Sequence, residues 1–325
     1  MTIASWPITS SDSEKCDAVI DFRYLTNDTV CCILSGGDIV LVKPSHSKDE
    51  EPVEIIGNVE GGILAAQWTT DEETLAIATN LSKLLFMTST FEMITEITLS
   101  ASDITQHINQ VSVGWGRSQT QFRGLRAKDA PRDPTLPENV DQGVLSPLDD
   151  RKVRLHWRGD GECLALSRIE MEEGKPAKRI VRVYAREGEI DSFSEPIDGL
   201  EGALHWRPSG HLIATVQRRG ETETEVVFLE RNGLRHGGFQ LRKPLGAPVR
   251  EVTWNADSSI LAVSLEDRIQ LWMSSNYQWQ LKREIIQTTQ PYTLIWHPEK
   301  PFIFFVHTSG CTFLNLINVR YHRSS

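Results

Sequence analysis

Apolar and polar residues alternate along this chain in short bursts, and the bursts come in groups of four. The clearest group is APVREVTWNADSSILAVSLEDRIQLWMSSNYQWQLKREI, residues 247–285. Its period of two predicts a strand over Val249–Trp254, a polar turn at Asn255–Ser259 and a strand over Ile260–Ser264. A tight turn at Glu266-Asp267 follows, then a strand over Arg268–Met273, a further turn and a fourth strand over Gln278–Ile285. No stretch of the chain sustains the 3.6-residue apolar period of an amphipathic helix.

The same grammar recurs. It is present in GGILAAQWTTDEETLAIATNLSKLLFMTSTFEMITEI (61–97), RKVRLHWRGDGECLALSRIE (151–170) and GALHWRPSGHLIATVQR (202–218). It recurs in PYTLIWHPEKPFIFFVH (291–307) and in CDAVIDFRYLTNDTVCCILSGGDIVLV (16–42). Each copy carries a large aromatic residue at the end of its first strand: Phe22, Trp68, Trp157, Trp206, Trp254 and Trp296. Trp115, in VSVGWGRSQTQFRG, supplies a seventh. Successive anchors lie 46, 47, 42, 49, 48 and 42 residues apart, close to the roughly 40–45 residues of one propeller blade. A Leu-Ala pair follows at fixed distance: Leu75-Ala76, Leu164-Ala165 and Leu261-Ala262, with Ile213-Ala214 after Trp206. A turn of constant length between two paired strands produces that regularity, because register decides which side chains face inward. The pattern predicts an all-β, WD-repeat-like β-propeller of about seven blades, incomplete or with one degenerate blade.

The Trp115 unit is the degenerate one: Phe122-Arg123 stands where Leu-Ala is expected, and the chain then enters an irregular, proline-bearing loop over 124–143. Residues 1–15 read as a flexible extension, 16–310 as the propeller and 311–325 as a tail. Charged tips at 170–179 and 218–225, and Asn232-Gly233, mark hairpin turns; Asn-Gly points to a type I′ turn.

Composition narrows the function. The 325 residues are 39% hydrophobic and 24% charged, with net charge −10. An acidic chain binds phosphate backbones poorly unless basic side chains cluster locally. One such cluster exists: Arg117, Arg123, Arg126, Lys128 and Arg132. It reads either as a solvated loop or as a docking loop for an acidic surface or RNA phosphate, since guanidinium pairs carboxylate and phosphate bidentately. Few aromatics interleave with it, so base stacking is weakly supported. The five cysteines lack C-x-x-C spacing, and Cys31-Cys32 sits in an apolar strand, which predicts buried free thiols. The N-terminal MTIASWPITSSDSEK shows no secretory pattern. No apolar run reaches the ~18 residues of a membrane span, so a soluble intracellular protein without membrane contact is expected.

Catalytic motifs are missing: no P-loop, H-E-x-x-H or G-x-S-x-G occurs. His156, His205 and His297 adjoin anchor tryptophans, come from different units and share no ligand spacing; each is expected to bond within its own blade. No catalytic, cofactor-binding or metal-binding residue is assigned, and no cofactor is expected.

Several segments go beyond generic blades. They include VSVGWGRSQTQFRG, RDPTLPENVDQG, RVYAREGEIDSFSEPIDG, FLERNGLRHGGF and IQLWMSSNYQWQLK. In their order and combination the chain resembles the N-terminal propeller region of the family of largest, scaffold subunits of the Elongator complex. The resemblance runs from about residue 17 to 301. It implies a non-catalytic interaction propeller in an assembly that modifies wobble uridine of transfer RNA, in the cytoplasm, with the nucleus as a second compartment. It implies two partners, a catalytic radical-SAM acetyltransferase-like subunit and another propeller subunit, with tRNA reached through the complex. The cofactors of that chemistry belong to the catalytic subunit. In the family, dimerisation uses a C-terminal region absent here, and 311–325 does not resemble the family's continuation. The alternatives are a propeller adaptor of an unrelated coat or translation-related assembly, a propeller hydrolase, and a direct tRNA-binding module.

Overall fold

The computed structural model describes residues 17–25, 29–43, 53–100, 141–171, 174–220, 223–241, 248–275, 278–286, 292–308 and 315–318. Among the described residues every regular element is a strand. The strands fall into consecutive antiparallel groups because each short apolar burst ends at a polar turn that reverses the chain.

The first sheet is β1 (Val19–Tyr24), β2 (Val30–Leu34), β3 (Asp38–Val42) and β4 (Val53–Asn58), and the second is β5 (Ile63–Trp68), β6 (Thr74–Thr79), β7 (Lys83–Thr88) and β8 (Met93–Thr98). The third comprises β9 (Arg154–Trp157), β10 (Cys163–Glu170), β11 (Lys178–Ala185) and β12 (Ile190–Phe193). The fourth holds β13 (Leu200–Trp206), β14 (Ile213–Arg219), β15 (Glu223–Leu229) and β16 (Arg235–Gln240). The fifth holds β17 (Glu251–Trp254), β18 (Ile260–Ser264), β19 (Arg268–Ser275) and β20 (Gln278–Ile286). A three-stranded sheet, β21 (Tyr292–Trp296), β22 (Ile303–Thr308) and β23 (Asn315–Asn318), completes the set. Within each sheet, sequence neighbours are hydrogen-bonded neighbours. β23 falls inside the stretch read from sequence as a tail.

The chain divides into two compact units. One takes Met1–Asn109, Lys152–Leu166 and Val183–Asp191; the other takes Gln110–Arg151, Ser167–Arg182 and Ser192–Ser325.

In the first unit, apolar layers lie between successive sheets. Ile33 and Ile39 of the first sheet meet Trp68, Leu75 and Ile77 of the second. Ala76, Ala78 and Phe86 of the second meet Trp157, Leu164 and Tyr184 of the third. The second sheet therefore packs directly on the third. The anchor spacing placed a unit keyed by Trp115 between them; that place is filled by the direct contact, and Trp115 itself lies outside the described residues.

In the second unit the same layering recurs. Val216, Val226 and Phe228 of the fourth sheet meet Trp254, Leu261 and Trp272 of the fifth. Ala262 and Leu271 of the fifth meet Leu294, Phe304 and Val306 of the last.

In the second, fourth and fifth sheets the turn after the first strand also bonds to the corresponding turn of the next sheet. Thr70 Oγ1 donates to Gly159 O at 2.8 Å, Ser209 N–H to Ser258 Oγ at 2.8 Å, and Asn255 Nδ2 to Pro301 O at 3.0 Å. Short polar residues at these turns are there to satisfy backbone groups that no ladder reaches.

Candidate functional site

Register explains the aromatic anchors. Trp68 stands opposite Leu75, Trp206 opposite Ile213 and Trp254 opposite Leu261, with the alanine of each pair one position further along. The residue after each anchor closes the turn with a backbone bond: Thr69 to Thr74, Arg158 to Cys163, Arg207 to Leu212, Asn255 to Ile260 and His297 to Ile303. Trp68, Trp157, Trp206 and Trp254 are buried and Trp296 is half-buried. The described anchors are thus distributed one to a sheet.

Phe22 departs from this set and is corrected. In the first sheet the closing bond runs from Leu25 N–H to Thr29 O. The anchor position is therefore Tyr24, paired with Val30, while Phe22 sits two residues earlier opposite Cys32. Phe22 is 65% exposed and Tyr24 54%, so neither ring plugs a core and Tyr24 holds the anchor position by register alone.

Two indoles show how an anchor meets the preceding sheet. Trp157 Nε1–H donates to Gln67 O at 3.0 Å, and its backbone N–H is accepted by Gln67 Oε1 at 2.9 Å. Trp296 Nε1–H points at Thr253, 3.2 Å from Oγ1 and 3.4 Å from O. Gln67 and Thr253 each precede an anchor, so the same bond is made twice by the same repeat position.

The titratable groups beside the anchors are occupied locally. His156 Nδ1 bonds Trp157 O at 2.8 Å and His205 Nδ1 bonds Trp206 O at 2.9 Å. His297 Nδ1 accepts from the Glu299 and Lys300 amides, both at 3.1 Å. Burial holds the His156 imidazole down at about 4. Burial likewise pushes the Cys31 thiol up to about 12 and raises Cys32; both cysteines are free and buried. Thiolate is the reactive form, so burial suppresses their chemistry. Among the described residues no group of three or more His, Cys, Asp or Glu could hold a metal ion, and no helix is long and apolar enough to cross a membrane.

The candidate interface residues Arg117, Arg123, Arg126, Lys128 and Arg132 lie outside the described residues. The segment that follows them, 141–151, is described, and three carboxylates fix it within the second unit. Asp198 Oδ1 accepts the N–H groups of Gln142, Gly143 and Val144 at 2.8, 2.7 and 2.9 Å. Glu201 Oε1 accepts from Ser146 Oγ at 2.8 Å and from Arg218 Nε at 2.6 Å. Asp149 takes Arg179 bidentately, at 2.5 Å from Nε and 2.7 Å from Nη2, while Arg179 Nη1 reaches Ser167 Oγ at 3.1 Å. On the opposite face of β11, Arg182 pairs Glu170 at 2.8 Å and lies 5.3 Å over the Phe193 ring. These buried charges were missed from sequence. The available signal was KRIVRVY: two arginines of opposite parity inside an apolar strand, each needing a buried acid.

The FLERNGLRHGGF segment forms the β15–β16 hairpin and is braced in the same unit. Gly233 N–H closes on Glu230 O at 2.9 Å, and Leu234 N–H reaches Asn232 Oδ1 at 3.0 Å. Of the central residues only Gly233 has positive φ, +81°. A type I′ turn needs two such residues, so this is instead a tight turn followed by a left-handed glycine. Glu195 N–H bonds Gly233 O at 3.2 Å, and Ser192 Oγ bonds Arg231 O.

Consecutive antiparallel sheets, five of four strands and one of three among the described residues, with a buried or half-buried tryptophan at a repeated register position in five of them, are the units of a propeller. The family model described as the ELP1 first N-terminal beta-propeller matches residues 1–299. The chain belongs to this family. Its fold class is accordingly a β-propeller. Among curated relatives it is 46% identical over 291 residues to Elongator complex protein 1 of Schizosaccharomyces pombe, covering 89% of this chain and 23% of that protein. It is 39% identical over 352 residues to Elongator complex protein 1 of Saccharomyces cerevisiae, covering 98% and 25%. Elongator complex protein 1 of Mus musculus is 36% identical over 308 residues, covering 89% and 22%. The chain thus spans about a quarter of the length of these family members.

Proposed function

We propose that this propeller is a non-catalytic interaction domain of an Elongator subunit, required for wobble-uridine modification of tRNA without performing it. The observation that carries this reading is the family match over residues 1–299, with 46% identity to a relative named as an Elongator subunit. The partners are the catalytic radical-SAM acetyltransferase-like subunit and a second propeller subunit. Transfer RNA is reached through the assembly, whose cofactors reside on the catalytic subunit, and the compartment is the cytoplasm. The local bonding of the anchor-adjacent histidines supports a structural role for them. The test is affinity purification of the tagged protein from its own cells, with mass spectrometry of the co-eluting chains and nucleoside analysis of tRNA after deletion. Co-elution of the catalytic subunit and loss of modified wobble uridine are expected. Reproducible absence of that subunit, with unchanged tRNA, overturns the reading.

A further inference from the structure

An outer strand offers unpaired backbone groups to any chain that can reach them, and most outer strands here carry protection. β4 holds Glu54 against Lys43 at 3.5 Å, and β8 holds Glu96 against Lys83 at 2.6 Å. β12 is only four residues long, and β20 carries Lys282, Arg283 and Glu284. β16, RHGGFQ, is different. Its two leading side chains are drawn away. Arg235 donates to Gln217 Oε1 at 2.9 Å and Glu225 Oε1 at 2.8 Å, and His236 Nδ1 bonds Glu230 Oε1 at 2.7 Å. Phe239 turns inward, its ring 4.9 Å from Trp279 and 4.5 Å from Trp272.

At Gly237 and Gly238 what is exposed is bare main chain. Gly237 has φ +138°, and a Cβ on Gly238 would fall 2.4 Å from Val226 O, so neither position accommodates a shielding side chain. The direction of the backbone groups follows from register. Leu241 N–H bonds Thr224 O at 2.9 Å. Bonded pairs alternate along an antiparallel ladder, so Val226–Phe239 and Phe228–Gly237 bond inward. The N–H and C=O of Gly238 and Gln240 then point away from the sheet, and both residues are exposed. Donors and acceptors recurring at about 6.8 Å, two residues apart, match extended polypeptide; an anion would satisfy the donors alone.

We propose that the β16 edge at Gly238 and Gln240 is a strand-addition site. It takes one extended segment of a partner polypeptide, with a β-branched or aromatic residue covering the glycine pair. The inference rests on β16 alone and stands or falls independently of the Elongator reading.

The test titrates the isotope-labelled full chain with the acetylated, amidated heptapeptide Thr-Val-Thr-Tyr-Thr-Val-Thr. The Gly238 and Gln240 amide resonances should shift, and their hydrogen exchange should slow. Gln240→Pro deletes an outward N–H at an edge position that tolerates proline, and should weaken binding about tenfold. A peptide N-methylated at alternate residues should not bind. If Gln240→Pro fails to fold, Gln240→Lys sets a charge on the edge and should give the same loss. No shift at these two amides in millimolar peptide overturns the proposal, as does binding that survives the substitution or N-methylation. A dimer of the chain that Gln240→Pro dissolves also overturns it, because a second copy then occupies the edge.

Discussion

The indole of Trp157 reaches back to Gln67, donating Nε1–H to its carbonyl at 3.0 Å while the Gln67 side chain accepts the Trp157 amide at 2.9 Å. A single residue pair thus joins the second sheet to the third by two bonds, both donated by Trp157, around an aromatic contact with Phe86 at 5.9 Å. Trp157→Phe retains most of the ring but removes the indole donor to the Gln67 carbonyl, and should cost about 0.5–1.5 kcal/mol. Trp157→Ala should cost about 3–5 kcal/mol through the cavity. Urea midpoints at constant slope check both values.

Arg179 and Asp149 are both buried and paired. Arg179→Met strands the carboxylate and should destabilise by about 3–5 kcal/mol. Adding Asp149→Asn should restore much of the loss, because the stranded charge is gone. A four-member denaturation cycle measures the coupling.

Gly233 combines φ +81° with a position where a Cβ would sit 1.8 Å from Phe193 O. Gly233→Ala should loosen the β15–β16 hairpin at a cost of about 1–3 kcal/mol. Faster hydrogen exchange at Leu234 and Glu195, whose amides bond within this hairpin or to Gly233, reports the effect.

Acid and base should act oppositely on two groups of the first unit. Burial depresses His156 from 6.5 to about 4, so its contribution is complete above 6.5 and is lost as pH falls toward 4. Burial, set partly against the Phe22 amide and Arg23, raises Asp21 from 3.8 to about 6; its contribution is present below 3.8 and is lost as pH rises through 6. Asp21→Asn should therefore stabilise the protein at pH 8 and leave it unchanged near pH 3. His156→Gln should flatten the loss between pH 6.5 and 4. Denaturation midpoints from about pH 3 to about pH 8 distinguish the two.

Strand boundaries in the fifth sheet were legible to within two residues, because alternation, a five-residue polar turn and Leu261-Ala262 all agree. The aromatic at the head of the chain was set two positions early. Phe22 and Tyr24 share parity, and only the Leu25–Thr29 bond tells them apart. Trp68 and Trp157 lie 89 residues apart, nearly two repeat lengths, so spacing alone suggested a sheet where the indole instead touches its neighbour directly. Asp198, Asp149 and Glu201 were illegible for another reason. Carboxylates are common on turns and strands alike, and the groups these three hold lie elsewhere in sequence: Arg179 for Asp149, Arg218 for Glu201 and the amides of Gln142, Gly143 and Val144 for Asp198. The bare edge of β16 was hidden too, since Gly237-Gly238 reads first as a turn.

Charge sealed inside a protein responds to heat differently from packed hydrocarbon. The hydration that Arg179 and Asp149 forgo on folding becomes less favourable as temperature rises. Their enclosure therefore costs least when the chain is hottest. The contacts that seat residues 141–151 against β11 should soften later on warming than the apolar layers around them.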